Sequence, residues 1–282
     1  MPVQVITDST ADLPPDLATS CHVIVVPLTV RFGTDEFRDN VDIDPERFLQ
    51  RLETSAELPN TTQPSPSDFQ RVYQPILDRS LDIVSIHLSE KLSGTINSAR
   101  LARRELGDPP GIAIIDSQWT SMAMGIIVLA AARAAEGRGD REAVVAAAQS
   151  AMRRTRLLLF CDTLEYLQRG GRIGKAQAFL GGLLSVKPLI TLREGEVFPE
   201  ERVRTRSRAL ERLRTWAEEL GDVEEFCALH VDSEADARGL RDHLTARFPR
   251  ATSYLTPVGP VVATHVGPGA VGLAALLRES VG

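Results

Sequence analysis

Short apolar, β-branched runs alternate with longer stretches of helical spacing through the first half of the chain. The runs at 3–7, 22–26, 28–32, 81–88 and 111–115 read as strands, the second and third divided by Pro27. Helical spacing predicts helices over 45–54, 67–79, 95–106, 120–136 and 140–156. Asp44-Pro45 is a helix start, a capping carboxylate followed by a proline whose missing N–H costs nothing at the first helical position. The stretch 57–66 is polar and broken by prolines, so it reads as a loop. Strands alternating with helices imply right-handed crossovers and hence a mostly parallel sheet.

From 157 onward the order changes. A strand over 157–161 and a helix over 163–169 lead into glycine-rich 170–174 and a helix over 175–184. Strands over 186–192 and 197–203 flank Arg193-Glu194-Gly195-Glu196, a hairpin turn. A charged helix over 206–220, a strand over 225–231, a helix over 234–248, and strands over 252–256 and 261–266 follow; 270–277 fits helix or strand. The hairpin makes this second sheet mixed, and the boundary falls near Thr155, dividing the chain into α/β units 1–155 and 156–282.

The length of 282 residues favours two packed cores over one. A formal charge of −6 argues against a dedicated nucleic-acid binder, which needs a concentrated basic surface. Cys21, Cys161 and Cys227 are odd in number and widely spaced, so neither a disulfide framework nor a paired zinc site is expected. The longest apolar run, 123–132, is about half of the ~20 residues a spanning helix needs. The N-terminus lacks a basic flank and a long apolar stretch, and a cytoplasmic protein is expected. On that reading the sequon Asn60-Thr61-Thr62 is never glycosylated, and its threonines need another explanation.

Several chemical signatures fail. Residues 267–272 fit G-x-G-x-x-G, but too little chain follows for the helix, strand and acidic residue of a dinucleotide site. Residues 169–175 resemble a phosphate loop whose first glycine is Arg169. No nucleophile elbow and no metal-binding histidine pair occurs, and no metal is expected. What remains is a set of small hydroxyl and acidic residues after presumed parallel strands: Asp8-Ser9-Thr10, Ser89 to Thr95, and Asp116-Ser117. Ligands of open α/β sheets bind beyond such strand ends. Ser93-Gly94-Thr95 also opens a helix, where free amides favour a carboxylate or phosphate, although Ser93 serves equally as a simple cap. His265 ends an apolar strand and leads into Gly267-Pro268-Gly269, a turn able to present its ring; His22, His87, His230 and His243 read as structural or surface residues. Of two basic stretches, Arg169–Lys175 and Arg202–Arg214, the second reads first as a solvated helix face interleaved with Glu200, Glu201 and Glu211. As functional surfaces both suit an acidic protein partner or an anion better than nucleic acid, since base-stacking aromatics are absent apart from Trp216.

Together these segments resemble the DegV family of fatty-acid-binding proteins. The matches are VITDSTADL over 5–13, TTQPS over 61–65, LSEKLSGT over 88–95, DTLEYLQRGGRI over 162–173 and HVGPG over 265–269, in the family's order. The resemblance implies an α/β/α parallel-sheet domain followed by an α/β domain with a mixed sheet. It also implies a long-chain fatty acid, and no other cofactor, held at the domain junction with its tail buried. By motif position the carboxylate partners are Thr61, Thr62, Ser93, Gly94 and His265, with threonine at 62 where the family commonly has serine. The family presents the acid to a separate kinase, which forms an acyl-phosphate for phospholipid synthesis. Arg169, Arg172, Arg202 and Arg204 are then candidate docking residues.

The apolar segment 179–184, with Val186 and 188–190, offers a wall for the tail, or plain core. Two other functions compete with the carrier. One is an acyl hydrolase with Ser93 as nucleophile, His265 as base and Asp8 or Asp116 as orienting group; the other is a regulator that binds nucleic acid through its arginines.

Overall fold

The structure, a computed structural model, describes residues 2–55, 57–180 and 186–279. In chain order the first elements are β1 (Val3–Asp8), α1 (Pro15–Ser20), β2 (Ile24–Val26), β3 (Thr29–Phe32), β4 (Asp35–Arg38), α2 (Pro45–Thr54), β5 (Asn60–Thr62) and α3 (Pro66–Leu77). Then come β6 (Asp82–His87), α4 (Thr95–Glu105), β7 (Ile112–Asp116), α5 (Ser121–Glu136) and α6 (Arg141–Arg154). The remainder comprises β8 (Thr155–Phe160), α7 (Glu165–Arg169), β9 (Lys187–Arg193), β10 (Glu196–Val203), α8 (Arg206–Glu219) and β11 (Val223–His230). Last are α9 (Glu234–Arg247), β12 (Thr252–Pro257), α10 (Pro260–Val266) and β13 (Val271–Leu277).

The first sheet, in the order β2-β1-β6-β7, is parallel throughout. The second, β10-β9-β8-β13-β11-β12, is mixed: only β11 and β12 run parallel. This is the expected α/β architecture. Phe69 and Tyr73 of α3 and Ala99 and Ala102 of α4 cover one face of the first sheet. Ala209 and Leu213 of α8, with Leu240 and Leu244 of α9, cover the outer face of the second. Between the sheets lies α5, buried almost all round, which packs on β1 from one side and on β8, β11 and β13 from the other. Alternation within β8 serves both faces: Leu158 and Phe160 point to the outer helices and Leu157 to the shared core.

Three local expectations need correction, at 261–266, 175–184 and 57–66, and one open assignment is decided. Residues 261–266 form the helix α10 instead of a strand. Pro260 occupies its first position, and two carboxylates from the other half of the chain meet its first free amides. Asp12 Oδ1 accepts the Gly259 N–H at 3.0 Å and Asp39 Oδ1 accepts that of Val261 at 3.3 Å. The β-branched run there favours strand only when judged locally. Residues 270–277, open to either assignment, become β13, paired antiparallel with both β8 and β11. Of the helix expected over 175–184, the described part is a 3₁₀ helix, Gly174–Phe179; 181–185 lie outside the described residues.

The expected loop 57–66 contains β5, which joins β3 and β4 in a small antiparallel sheet. Its Asn60-Thr61-Thr62 sequence carries no alternation to betray a strand. Among the described residues, no helix is long and apolar enough to cross a membrane.

Candidate functional site

A cavity of about 330 Å³ lies where the ends of β1 and β6 face the second sheet. Its walls are largely aliphatic, with Leu88, Leu157, Ile190, Leu192, Val197 and Leu229 among them. Polar side chains of Thr61, Thr62, Gln63, Ser93, Arg172 and His265 also line it. They come from the TTQPS segment in and after β5, the loop before α4, the segment after α7, and α10.

Pairing of β5 with β3 (Val30 opposite Thr61) aims Thr61 at α10, where its hydroxyl lies 3.0 Å from His265 Nε2. His265 Nδ1 is buried and has no hydrogen-bond partner among the described residues. Burial, and secondarily the Arg172 guanidinium, lower the imidazole from 6.5 to about 4, so the ring is neutral at neutral pH. Arg172 lines the cavity: its Nε donates to the Leu92 carbonyl at 3.0 Å and its Nη1 to that of Gly170 at 2.7 Å.

Gly94 caps α4, and Ser93 directly precedes it. The Ser93 hydroxyl accepts the Thr95 N–H at 3.3 Å and sits 2.9 Å from Thr95 Oγ1. Ser93 thus serves the helix start and also borders the cavity. A Cβ on Gly94 would stand 2.4 Å from Gln63 Oε1, so the Gln63 amide covers this glycine, donating to Ser98 Oγ at 3.2 Å. Sequence reasoning passed over Gln63; its place inside TTQPS was the available signal. Thr62, the most exposed of the quoted hydroxyls, pairs with Thr29 at the cavity's rim.

The other candidates lie outside the cavity, although Arg169 borders an outer cleft with Thr61, Arg172 and His265. Arg169 is exposed and paired with Glu165 at 2.6 Å, and Arg202 is exposed with its guanidinium 4.8 Å from the Phe179 ring centre. Arg204 is exposed, whereas Arg206 is held by Asp162, Asp236 and the Gly269 carbonyl. The hydrolytic relay does not assemble. Asp8 is engaged by His87 Nδ1 at 3.0 Å and by Thr10 and the Leu88 amide, and Asp116 accepts the Gln118 N–H at 2.9 Å. His87, read as structural, is fully buried between Asp8 and Ser85, whose hydroxyl in turn receives that of Tyr73. No cluster of metal-ligating side chains occurs among the described residues.

A family profile described as "Uncharacterised protein, DegV family" matches residues 2–278. A DegV domain-containing protein of Streptomyces coelicolor is 38% identical over 275 residues, 96% of this chain and 97% of that protein. The structure of a DegV family protein from Thermus thermophilus, described by its fatty acid binding, matches with a TM-score of 0.90 at 38% identity, covering 99% of this chain and 100% of that one. Bacillus subtilis DegV, described as a fatty acid binding protein, matches with a TM-score of 0.89 at 31% identity, covering 99% and 100%.

Proposed function

The chain belongs to the DegV family, and from its junction cavity we infer that it carries a long-chain fatty acid and presents the carboxylate to a separate kinase. One observation carries the reading: a largely aliphatic cavity bordered by a cluster of hydroxyls and a neutral imidazole. The fatty acid binding described for the Thermus thermophilus and Bacillus subtilis proteins supports it. A tail of ~14 methylenes at ~0.8 kcal/mol each contributes roughly 11 kcal/mol before association costs. Hydrogen bonds to the charged head add about 1.5–3 kcal/mol each. The tail therefore dominates affinity, while Thr61, Thr62, Ser93, the Gly94 backbone and His265 set orientation.

In this reading units 1–155 and 156–282 act as the two domains that enclose the acid. The carboxylate oxygen attacks phosphorus of the kinase's phosphoryl donor as the donor's own P–O bond breaks and its remainder departs with the electron pair, giving an acyl-phosphate for phospholipid synthesis in the cytoplasm. The exposed Arg169, Arg202 and Arg204 dock the kinase, and the carrier alone catalyses nothing. The hydrolase alternative would need a carboxylate on His265 Nδ1, and none of the described residues supplies one.

Denaturing the purified protein and analysing the released lipid by mass spectrometry tests the binding. A near-stoichiometric fatty acid is expected; protein that neither carries nor takes up such an acid overturns the reading. Ser93→Ala tests the presentation, and should lower kinase-dependent acyl-phosphate formation with the acid still bound.

A further inference from the structure

The cavity meets the surface in two different ways. Thr61, Arg172 and His265, at its polar end, also line an outer cleft of about 300 Å³. Leu157, Thr191 and Leu192, in its hydrocarbon wall, are shared with a separate cleft of about 410 Å³ that includes Trp119 and Trp216. Leu192 borders yet another hollow, of about 240 Å³, again with Trp119. None of the polar head residues lines either of these two hollows. A single layer of side chains thus divides the cavity from a half-exposed aromatic cleft.

The parts of that layer differ in freedom. Thr191 is tied, its hydroxyl donating to the Leu157 carbonyl at 2.6 Å. Leu157 and Leu192 are 3% and 7% exposed and have only dispersion contacts to hold their side chains. A leucine in a strand turns between staggered rotamers without moving the backbone. Beyond it, the half-buried Trp119 and Trp216 present apolar ring surface. Arg193, on the same cleft, has its guanidinium engaged by Glu200 and by the Phe198 ring at 4.2 Å, leaving its aliphatic stem to the wall.

We propose that Leu192, with Leu157 beside it, is the partition that sets the longest acyl chain the cavity accepts, and that the Trp119–Trp216 cleft receives the tail ends of longer chains. The proposal rests on the fatty-acid reading of the cavity. Each methylene that moves from water to apolar surface is worth about fourfold in affinity, so opening the partition changes the length profile more than the binding of short acids.

Trp119 and Trp216 are the only tryptophans in the chain, so indole emission reports on this cleft directly. The experiment compares the protein with its Leu192→Ala and Leu192→Phe variants, titrated with saturated fatty acids of increasing length and with the same acids brominated at the terminal carbon. Leu192→Ala should improve binding of acids two methylenes beyond the natural optimum about tenfold relative to that optimum. Their brominated forms should quench the indoles, and Leu192→Phe should shift the optimum to shorter chains. A Leu192→Ala protein that binds with an unchanged length profile and unquenched emission overturns the proposal. Should Leu192→Ala not fold, the brominated series on the unaltered protein decides: quenching that grows with length supports the partition, and equal quenching at all lengths refutes it. An unaltered protein that binds no fatty acid of any length overturns the carrier reading itself, a result distinguishable from the others.

Discussion

The hydroxyl of Thr61 lies 3.0 Å from Nε2 of His265, a contact that spans 204 residues of sequence and joins β5 to α10. A neutral ring carries one proton. Placed on Nε2, it is donated to Thr61 Oγ1 and turns the threonine O–H outward, toward a carboxylate in the cavity. Both donors then act on one ligand head, the imidazole through the hydroxyl.

Thr61→Val keeps the shape and removes the hydroxyl. Losing a charge-assisted hydrogen bond of about 1.5–3 kcal/mol should weaken fatty-acid binding by about tenfold or more. Most of the tail's contribution survives, so titration should still detect binding. Unchanged affinity would remove Thr61 from the head site.

Two groups joined to α10 titrate in opposite senses. Burial and Arg172 lower His265 to about 4, while burial raises Asp39 from 3.8 to about 6, against hydrogen bonds from Ser9 and the Val261 amide. The unfolded chain takes the imidazole proton first, so that contribution is whole above pH 6.5 and lost as pH falls to 4. The folded chain takes the Asp39 proton first, so stability rises as pH falls from 6 toward 3.8. The windows overlap and each shift is on the order of 3 kcal/mol, so the two nearly offset. Burial raises Asp12 as well, which adds to the carboxyl side. Asp39→Asn, which keeps an acceptor for Val261, should raise Tm by about 5 °C at pH 7.5 and steepen its fall between pH 6.5 and 4.5. His265→Gln should do the reverse in the acid range. Parallel Tm profiles for all three proteins would contradict this assignment.

The buried Ser89 hydroxyl donates to the Gly195 carbonyl at 2.7 Å and pins the β9–β10 turn beyond the C-terminal end of β6. Gly195 has φ +79°, and a Cβ there would stand 2.3 Å from that hydroxyl oxygen. Gly195→Ala should cost about 2–3 kcal/mol through backbone strain and collision, and Ser89→Ala about 1–3 kcal/mol. In the double variant the collision is gone, so urea midpoints should show less than additive loss.

Gly94→Ala pushes a methyl into the Gln63 amide, a side chain that can swing away. Tm should change by less than about 3 °C, because only a flexible exposed group must move. Fatty-acid affinity should nevertheless fall about tenfold, since the methyl occupies the close approach to the α4 amides and Gln63 leaves Ser98. A calorimetric titration beside a thermal melt separates the two effects.

Local pattern was enough to find most of the elements. The Asp44 and Asp140 caps mark the starts of α2 and α6, and the Glu194-Gly195 turn, with both residues at positive φ, forms as expected. Ser93 was legible as chemistry because hydroxyls after parallel strands have a known use, and the TTQPS segment because it matches the motif of the family the chain resembles. Gln63 and Arg172 were harder to see. Nothing in a neutral amide or a basic stretch says which residues will face inward, and only the packed loops beside α4 and α7 place them on the cavity.

By itself, then, the sequence determined the alternation of strands and helices, the parallel and mixed character of the two sheets, and the residue types able to hold a carboxylate. The elements and sheets follow from propensities and periodicities that act over a few residues, and the carboxylate-holding residues from motifs that resemble the family's. Tertiary structure alone decided that 260–266 coils into a helix, because the acceptors for its first amides are Asp12 and Asp39, more than 200 residues away. It alone decided that the polar segment at 60–62 becomes a strand, since its partner is β3. The cavity belongs to the same class: its walls come from both sheets, and no window of sequence holds the distances between them.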